Sequence, residues 1–291
     1  MLTSDHRPLP PCLAHNCGFH DGPPQGTPPE GFSPPPGFER MLEKAREAEA
    51  RRRVFAEQFQ TGSVELAGIT MPYRLYVPEN LTPGKRYPLV IFFHGAGERG
   101  TDNLAQLTAY DAAHVWVWDQ QDGGEPCFVL APQMTGDGWL EPPLLAASRI
   151  IDTVTAQYPI DSKRLYLTGM SMGGGACWRM NYMFPHRFAA VVPLCPHCGL
   201  NMQGEIDPEA IGLVADSFVN KPLWLFHAED DMVVTVETSR QLTAALERRG
   251  MIRGKDFFYT EYPAACHYNH GCWDIAHADK AMRQWLFQQS L

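Results

Sequence analysis

Long apolar runs are missing from this 291-residue chain: no stretch approaches the roughly 18–20 apolar residues that a membrane helix needs. The first 20 residues also lack the apolar core of a signal peptide, so the expectation is a cytoplasmic protein with no membrane partner. Positive charge is short as well. Lys and Arg number 24 against 33 Asp and Glu, a formal net charge of −9. That balance argues against wrapping nucleic acid or docking on anionic lipid, both of which want basic patches. Cysteine is sparse. Eight in so long a chain do not make a disulfide scaffold, so Cys195, Cys198, Cys266 and Cys272 are expected to be buried thiols. The remaining composition, 44% hydrophobic and 20% charged, is that of a globular chain able to bury a sizeable core.

Proline and glycine are what the chain has in excess. With 25 of each, they fill about a sixth of it, where roughly 12% is usual. Ten of the prolines and five of the glycines fall in residues 1–37, which show no apolar periodicity. Proline fixes φ and removes a donor, so residues 1–37 are expected to form a weakly ordered tail, dispensable for activity. The tail holds Cys12, His15, Cys17 and His20, but their spacing fits no familiar zinc motif, and no metal is expected. Residues 38–60 have no proline and many strong helix formers, and they read as an accessory helix.

From residue 61 to 291 the pattern is that of one α/β domain. The segment 63–78 alternates and carries turn signals, as an antiparallel hairpin would. Short apolar runs then follow at Tyr87–Phe93, Cys127–Ala131, Arg164–Thr168, Ala189–Leu194, Pro222–Phe226 and Phe257–Tyr262. Such runs suit strands buried on both faces. Helical patterns intervene or follow at Leu144–Gln157, Gly174–Met183, Val236–Arg249 and Trp273–Gln289. This order predicts a mostly parallel sheet with helices on both faces, and chemistry at the carboxyl ends of the strands.

Four of those strand ends carry candidate groups. After Arg164–Thr168 comes Gly169-Met170-Ser171-Met172-Gly173, a G-x-S-x-G turn between a strand and a helix. The turn strains the serine backbone and lifts its hydroxyl from the sheet, which makes Ser171 the candidate nucleophile. After Tyr87–Phe93 comes His94-Gly95-Ala96-Gly97, where small residues let the backbone approach a substrate oxygen. The N–H groups of Ala96 and Met172 are the candidate oxyanion donors. The same loop also matches the dinucleotide pattern G-x-G-x-x-G at 95–100. The next strand, however, runs into Pro132 and Gln133 rather than the acidic residue that pattern wants.

A serine needs a base, and the base needs a carboxylate. After Pro222–Phe226 stand Glu229, Asp230 and Asp231. Asp231 is the candidate acid, because an apolar run follows it and can shield it from water; Asp230 is the alternative. After Phe257–Tyr262 both His267 and His270 are available, and position alone does not separate them. His94 and His227 are expected to brace their loops, and His277 to lie inside the last helix. Trp116, Trp118 and Trp139, in or beside the variable cover 108–138, are candidates either for a pocket lining or for core packing.

With these residues in place the chain resembles the α/β-hydrolase superfamily, and more narrowly the esterases related to polyhydroxybutyrate depolymerases and feruloyl esterases. The segments that carry the resemblance are PYRLYVP (72–78), YPLVIFFHGAGERGTDN (87–103), VLAPQ (129–133), RLYLTGMSMGG (164–174), FAAVVPLC (188–195), FHAEDDMVV (226–234) and HGCWDIAHAD (270–279). The resemblance implies a serine carboxylic-ester hydrolase with a small-molecule ester substrate and no cofactor. The H-G-x-x-D-x-x-V pattern of that group maps onto His227–Val234 and puts the acid at Asp231, with Ala228 where glycine is usual. Its histidine three residues before a tryptophan maps onto His270 and Trp273; its Y-P-x-x-x-H form would fit His267 instead. His270 is taken as the base and His267 as the alternative. A prolyl-oligopeptidase-like peptidase and a non-catalytic binding protein on the same fold are the competing readings.

Overall fold

The computed structural model describes residues 6–15 and 38–291. An N-terminal helix α1 (Phe38–Ala56) leads into the strands β1 (Phe59–Leu66), β2 (Ile69–Tyr76) and β3 (Tyr87–Phe93). Two short helices follow, α2 (Ala105–Thr108) and α3 (His114–Gln121), and then β4 (Phe128–Pro132) and α4 (Glu141–Gln157). The chain continues as β5 (Ile160–Met170), α5 (Met172–Met183), β6 (Ala190–Leu194), α6 (Pro208–Phe218), β7 (Trp224–Ala228) and α7 (Glu237–Arg248). It closes with β8 (Phe258–Tyr262), α8 (Trp273–Ala278) and α9 (Lys280–Phe287).

The strands form one eight-stranded sheet in the order β1-β2-β4-β3-β5-β6-β7-β8. The β1–β2 and β2–β4 pairs are antiparallel, and every later pair is parallel. This is an α/β-hydrolase fold, as expected. The apolar runs make it possible, because successive side chains of a strand point to opposite faces. Leu89, Ile91 and Phe93 of β3 enter the core shared with α4, α5, α6 and α7. Val90 and Phe92 enter the opposite core, beneath residues of α1, α3, α8 and α9. A strand covered on both sides must be apolar at every position.

Four expectations change. The first helix stops at Ala56, and Phe59 is the buried first residue of β1, so the accessory helix does not reach residue 60. The pattern at Trp273–Gln289 is two helices, broken at Asp279, whose carboxylate caps α9 by accepting from the N–H groups of Ala281 and Met282. Helix α6 was not anticipated, although Asp207 caps it and Pro208 opens it, a plain start signal.

The fourth change concerns the tail. Residues 6–15 lie on the body: Leu9 and Leu13 are buried, and Arg179 of α5 donates to Leu13 O (2.8 Å) and His15 O (2.9 Å). Cys17, His20 and the remaining prolines of the expected tail lie outside the described residues. Among the described residues, no helix is long and apolar enough to cross a membrane.

Candidate active site

Ser171 stands between the end of β5 and the start of α5 with φ 55° and ψ −117°, a conformation L-residues rarely adopt. The flanking glycines are a steric requirement. A Cβ on Gly173 would lie 2.0 Å from Phe93 O, and one on Gly169 would lie 2.7 Å from the same oxygen. Strand β3 therefore presses directly against the turn. The strained peptide is held by neighbours: Ser171 N donates to Leu194 O (2.9 Å), and Ser171 O accepts from Gly175 N (3.0 Å) and His197 N (2.8 Å).

The structure brings Ser171, His270 and Asp231 into one line. His270 Nε2 is 2.8 Å from Ser171 Oγ, and His270 Nδ1 is 2.7 Å from Asp231 Oδ2. Asp231 accepts from the N–H groups of Val233 (2.9 Å) and Val234 (2.8 Å) through its other oxygen. Burial pushes its carboxyl pKa up. Hydrogen bonds from His227 and His270 outweigh that and hold it below the usual carboxylate range.

Histidine 227 is a supporting residue whose detailed role was not read from the sequence. Its Nε2 lies 3.0 Å from Val234 O, which can only accept, so the proton sits on Nε2. The same N–H reaches Asp231 Oδ2 at 3.2 Å, and Nδ1 takes the Ser239 hydroxyl at 2.7 Å. His227 thus braces the acid loop through its full side-chain capacity.

His267 and Asp230 stand apart from that line. His267 is exposed and ends a 3-10 turn in the left-handed conformation, φ 54°. Asn269 is left-handed as well, φ 48°. These two reversals turn His267 outward and His270 inward. Asp230 acts on the backbone: its Oδ1 accepts from Asn269 N (3.0 Å), while Asn269 Oδ1 accepts from Met232 N (3.3 Å). The acid loop and the base loop therefore grip each other on both sides of the Asp231–His270 contact. Trp273 sets its indole edge-on to His270, with ring centres 5.2 Å apart.

Ala96 opens a 3-10 turn, Ala96–Glu98, at the end of β3, and Met172 opens α5. Gly95 separates this turn from Ser171: a Cβ there would lie 3.7 Å from Ser171 Cβ. The turn is fixed by Arg99 Nε donating to Ala96 O (2.8 Å) and by Gln133 Nε2 donating to Glu98 O (3.1 Å). No dinucleotide-type helix follows this loop; α2 begins only at Ala105 and has four residues.

His94 is fully buried, takes the Met134 N–H on Nε2 (2.9 Å), and is pushed down by burial to a pKa of about 4. Trp116 and Trp139 are core residues: Trp116 packs edge-on to His277 and Phe287, and Trp139 Nε1 donates to His94 O. His277 lies in α8, fully buried beside Thr168 Oγ1 at 3.2 Å.

Behind the histidine, Cys195 Sγ is 3.9 Å from His270 O. The donor atoms of Cys195, Asp231 and His270 all lie within 4.8 Å of one another, and the last two are already engaged with each other and with Ser171. All seven described cysteines are free thiols. Cys195, Cys198 and Cys272 are buried as expected, but Cys266 is exposed, because the turn that carries it stands out from the end of β8.

An α/β-hydrolase fold with a serine, a histidine and an aspartate in hydrogen-bonded line at the strand ends defines the class. The comparisons with known proteins agree with it. No family model matches the chain. A solved structure described as a thermostable esterase superposes with a TM-score of 0.71 and 37% identity, covering 82% of this chain and 64% of its own. A ferulic acid esterase structure superposes with a TM-score of 0.61 over 79% of this chain and 97% of its own, at 13% identity, a likeness of fold. A bifunctional acetylxylan esterase/xylanase of Neocallimastix patriciarum is 29% identical over 124 residues, 41% of this chain and 17% of that protein. The chain thus spans under a fifth of the curated relative and less than two thirds of the thermostable esterase. It is similar to the esterase group of the α/β-hydrolases, as the sequence motifs implied.

Proposed function

We propose that this protein is a serine carboxylic-ester hydrolase acting on small or aromatic esters of acetyl or feruloyl type. The observation that carries the reading is the unbroken hydrogen-bonded line from Ser171 Oγ through His270 to Asp231, set on a strained strand-to-helix turn. Ser171 Oγ attacks the ester carbonyl while His270 Nε2 takes its proton. Asp231 keeps the Nδ1 proton of His270 facing away from the serine and balances the imidazolium that forms. The carbonyl oxygen becomes an oxyanion held by the N–H groups of Ala96 and Met172. Collapse of this adduct expels the alcohol, which takes the proton from His270, and leaves an acyl-serine. Water, deprotonated by His270, then releases the acid. The partner is a small-molecule ester.

The names of the similar proteins support acetyl and feruloyl esters as the first substrates to try. Ser171→Ala should lower p-nitrophenyl acetate turnover on the order of 10⁴-fold or more. A rate near wild type in that variant would end the reading. A panel setting short acyl esters against hydroxycinnamoyl esters, with an X-Pro amide as the peptidase control, then assigns the substrate class.

A further inference from the structure

A buried acid that the mechanism above does not use lies next to the nucleophile. Glu98 ends the 3-10 turn that Ala96 begins, and only 5% of it is exposed. A methyl group placed on Gly95 would lie 3.2 Å from Glu98 Oε2 and 3.7 Å from Ser171 Cβ, so the carboxyl and the nucleophile flank the same glycine. Among the described residues Oε2 has no hydrogen-bond partner, while the N–H groups of Gly95 and of Glu98 itself are turned to the carboxyl.

Among the described residues, no cation compensates this acid. Arg99 is spent on Ala96 O and Asp137 O. His94 Nδ1 is 3.9 Å away, but that ring is buried, is occupied by Gly95 O and Met134 N, and is held neutral by burial. The other groups facing it are Tyr110, whose phenol is pushed up by burial and then by Glu98, and Asp102 across the Gln133 amide. A buried carboxylate without a partner charge is costly, and the neutral acid is the form such a site favours.

We propose that Glu98 is a positioning residue: an uncharged carboxyl that takes the Gly95 N–H at the root of the oxyanion turn without setting a negative charge against the oxyanion. The proposal rests on the esterase reading. Burial pushes the Glu98 pKa up to about 7, against the opposing pull of the Gly95 and Glu98 N–H groups. Ionisation above that point would put a like charge across Gly95 from the nucleophile, near the developing oxyanion, and cut turnover about tenfold. A neutral ester feels this charge little in the ground state, so the loss belongs in kcat rather than KM.

The experiment is the kcat and KM profile of wild type and Glu98→Gln with p-nitrophenyl acetate, from about pH 5 to about pH 9. Wild type should show an alkaline decline in kcat of about tenfold with its midpoint near the Glu98 ionisation, at constant KM. Glu98→Gln, neutral at every pH, should lose the decline and keep the acid limb. An unchanged alkaline limb in the variant, or none in wild type, overturns the proposal. Should Glu98→Gln fail to fold, carbon-13 NMR of glutamate-labelled wild type reads the carboxyl directly, and a full set of ordinary Glu titrations overturns it. Absence of any Ser171-dependent turnover in wild type is a different outcome. It removes the esterase reading, and the role with it, while a carboxyl titrating near neutrality would still be seen.

Discussion

Gly173 has no room for even a methyl group, since its Cβ would overlap Phe93 O at 2.0 Å. Gly173→Ala should therefore displace β3 or the serine turn and lower ester turnover about a hundredfold or more, measured beside a thermal melt. His270→Ala should lose turnover on the order of 10⁴-fold, while His267→Ala stays within about threefold of wild type in the same assay. Equal losses would reverse the assignment of the base. Ser171 and Asp231 were legible because their neighbours explain them: glycines two positions away on either side, and an apolar run after the acid. The histidine was legible only through the family resemblance, which favoured His270 over His267 by its place three residues before Trp273. His267 and His270 share one loop with no periodicity, and the left-handed residues that turn one outward and the other inward leave no pattern in the sequence. Glu98 stands beside Arg99 in the chain, and only the fold shows that the arginine is spent on main-chain oxygens rather than on the carboxyl.

At the scale of elements, apolar runs located all six parallel strands to within a few residues, because double-sided burial demands unbroken apolar sequence. The docking of residues 6–15 was not readable. Two leucines among prolines carry no period, and the partner that holds them, Arg179, lies on α5 far along the chain. Removing residues 1–37 strips a buried guanidinium of two acceptors and uncovers the surface beneath Leu9 and Leu13. The truncated protein should lose about 3 kcal/mol or more of stability, read from denaturant unfolding. Because Arg179 sits on the helix that starts at the nucleophile, its activity should also decay faster on warming.

For the whole molecule, acid is the vulnerable side. Burial holds His94 at about 4 and His277 at about 3, so the fold keeps both neutral where the unfolded chain takes up protons. The unfolded state binds the extra protons below about pH 6.5, so stability falls as pH drops from there. Asp231 adds to this: its depressed carboxyl contributes stability above about pH 4 that is lost as acid protonates it. Glu98 opposes them, since a raised carboxyl contributes at low pH and loses its contribution as pH rises to about 7. Melting temperature should thus fall steeply below about pH 5, and Glu98→Gln should remove a shallow decline between about pH 4 and about pH 7. The reciprocal grip of Asp230, Met232 and Asn269 has a consequence for recombination. The loops after β7 and β8 form one heritable unit, and a chimera that takes them from different parents inherits an aspartate and a histidine with nothing to bring them into register.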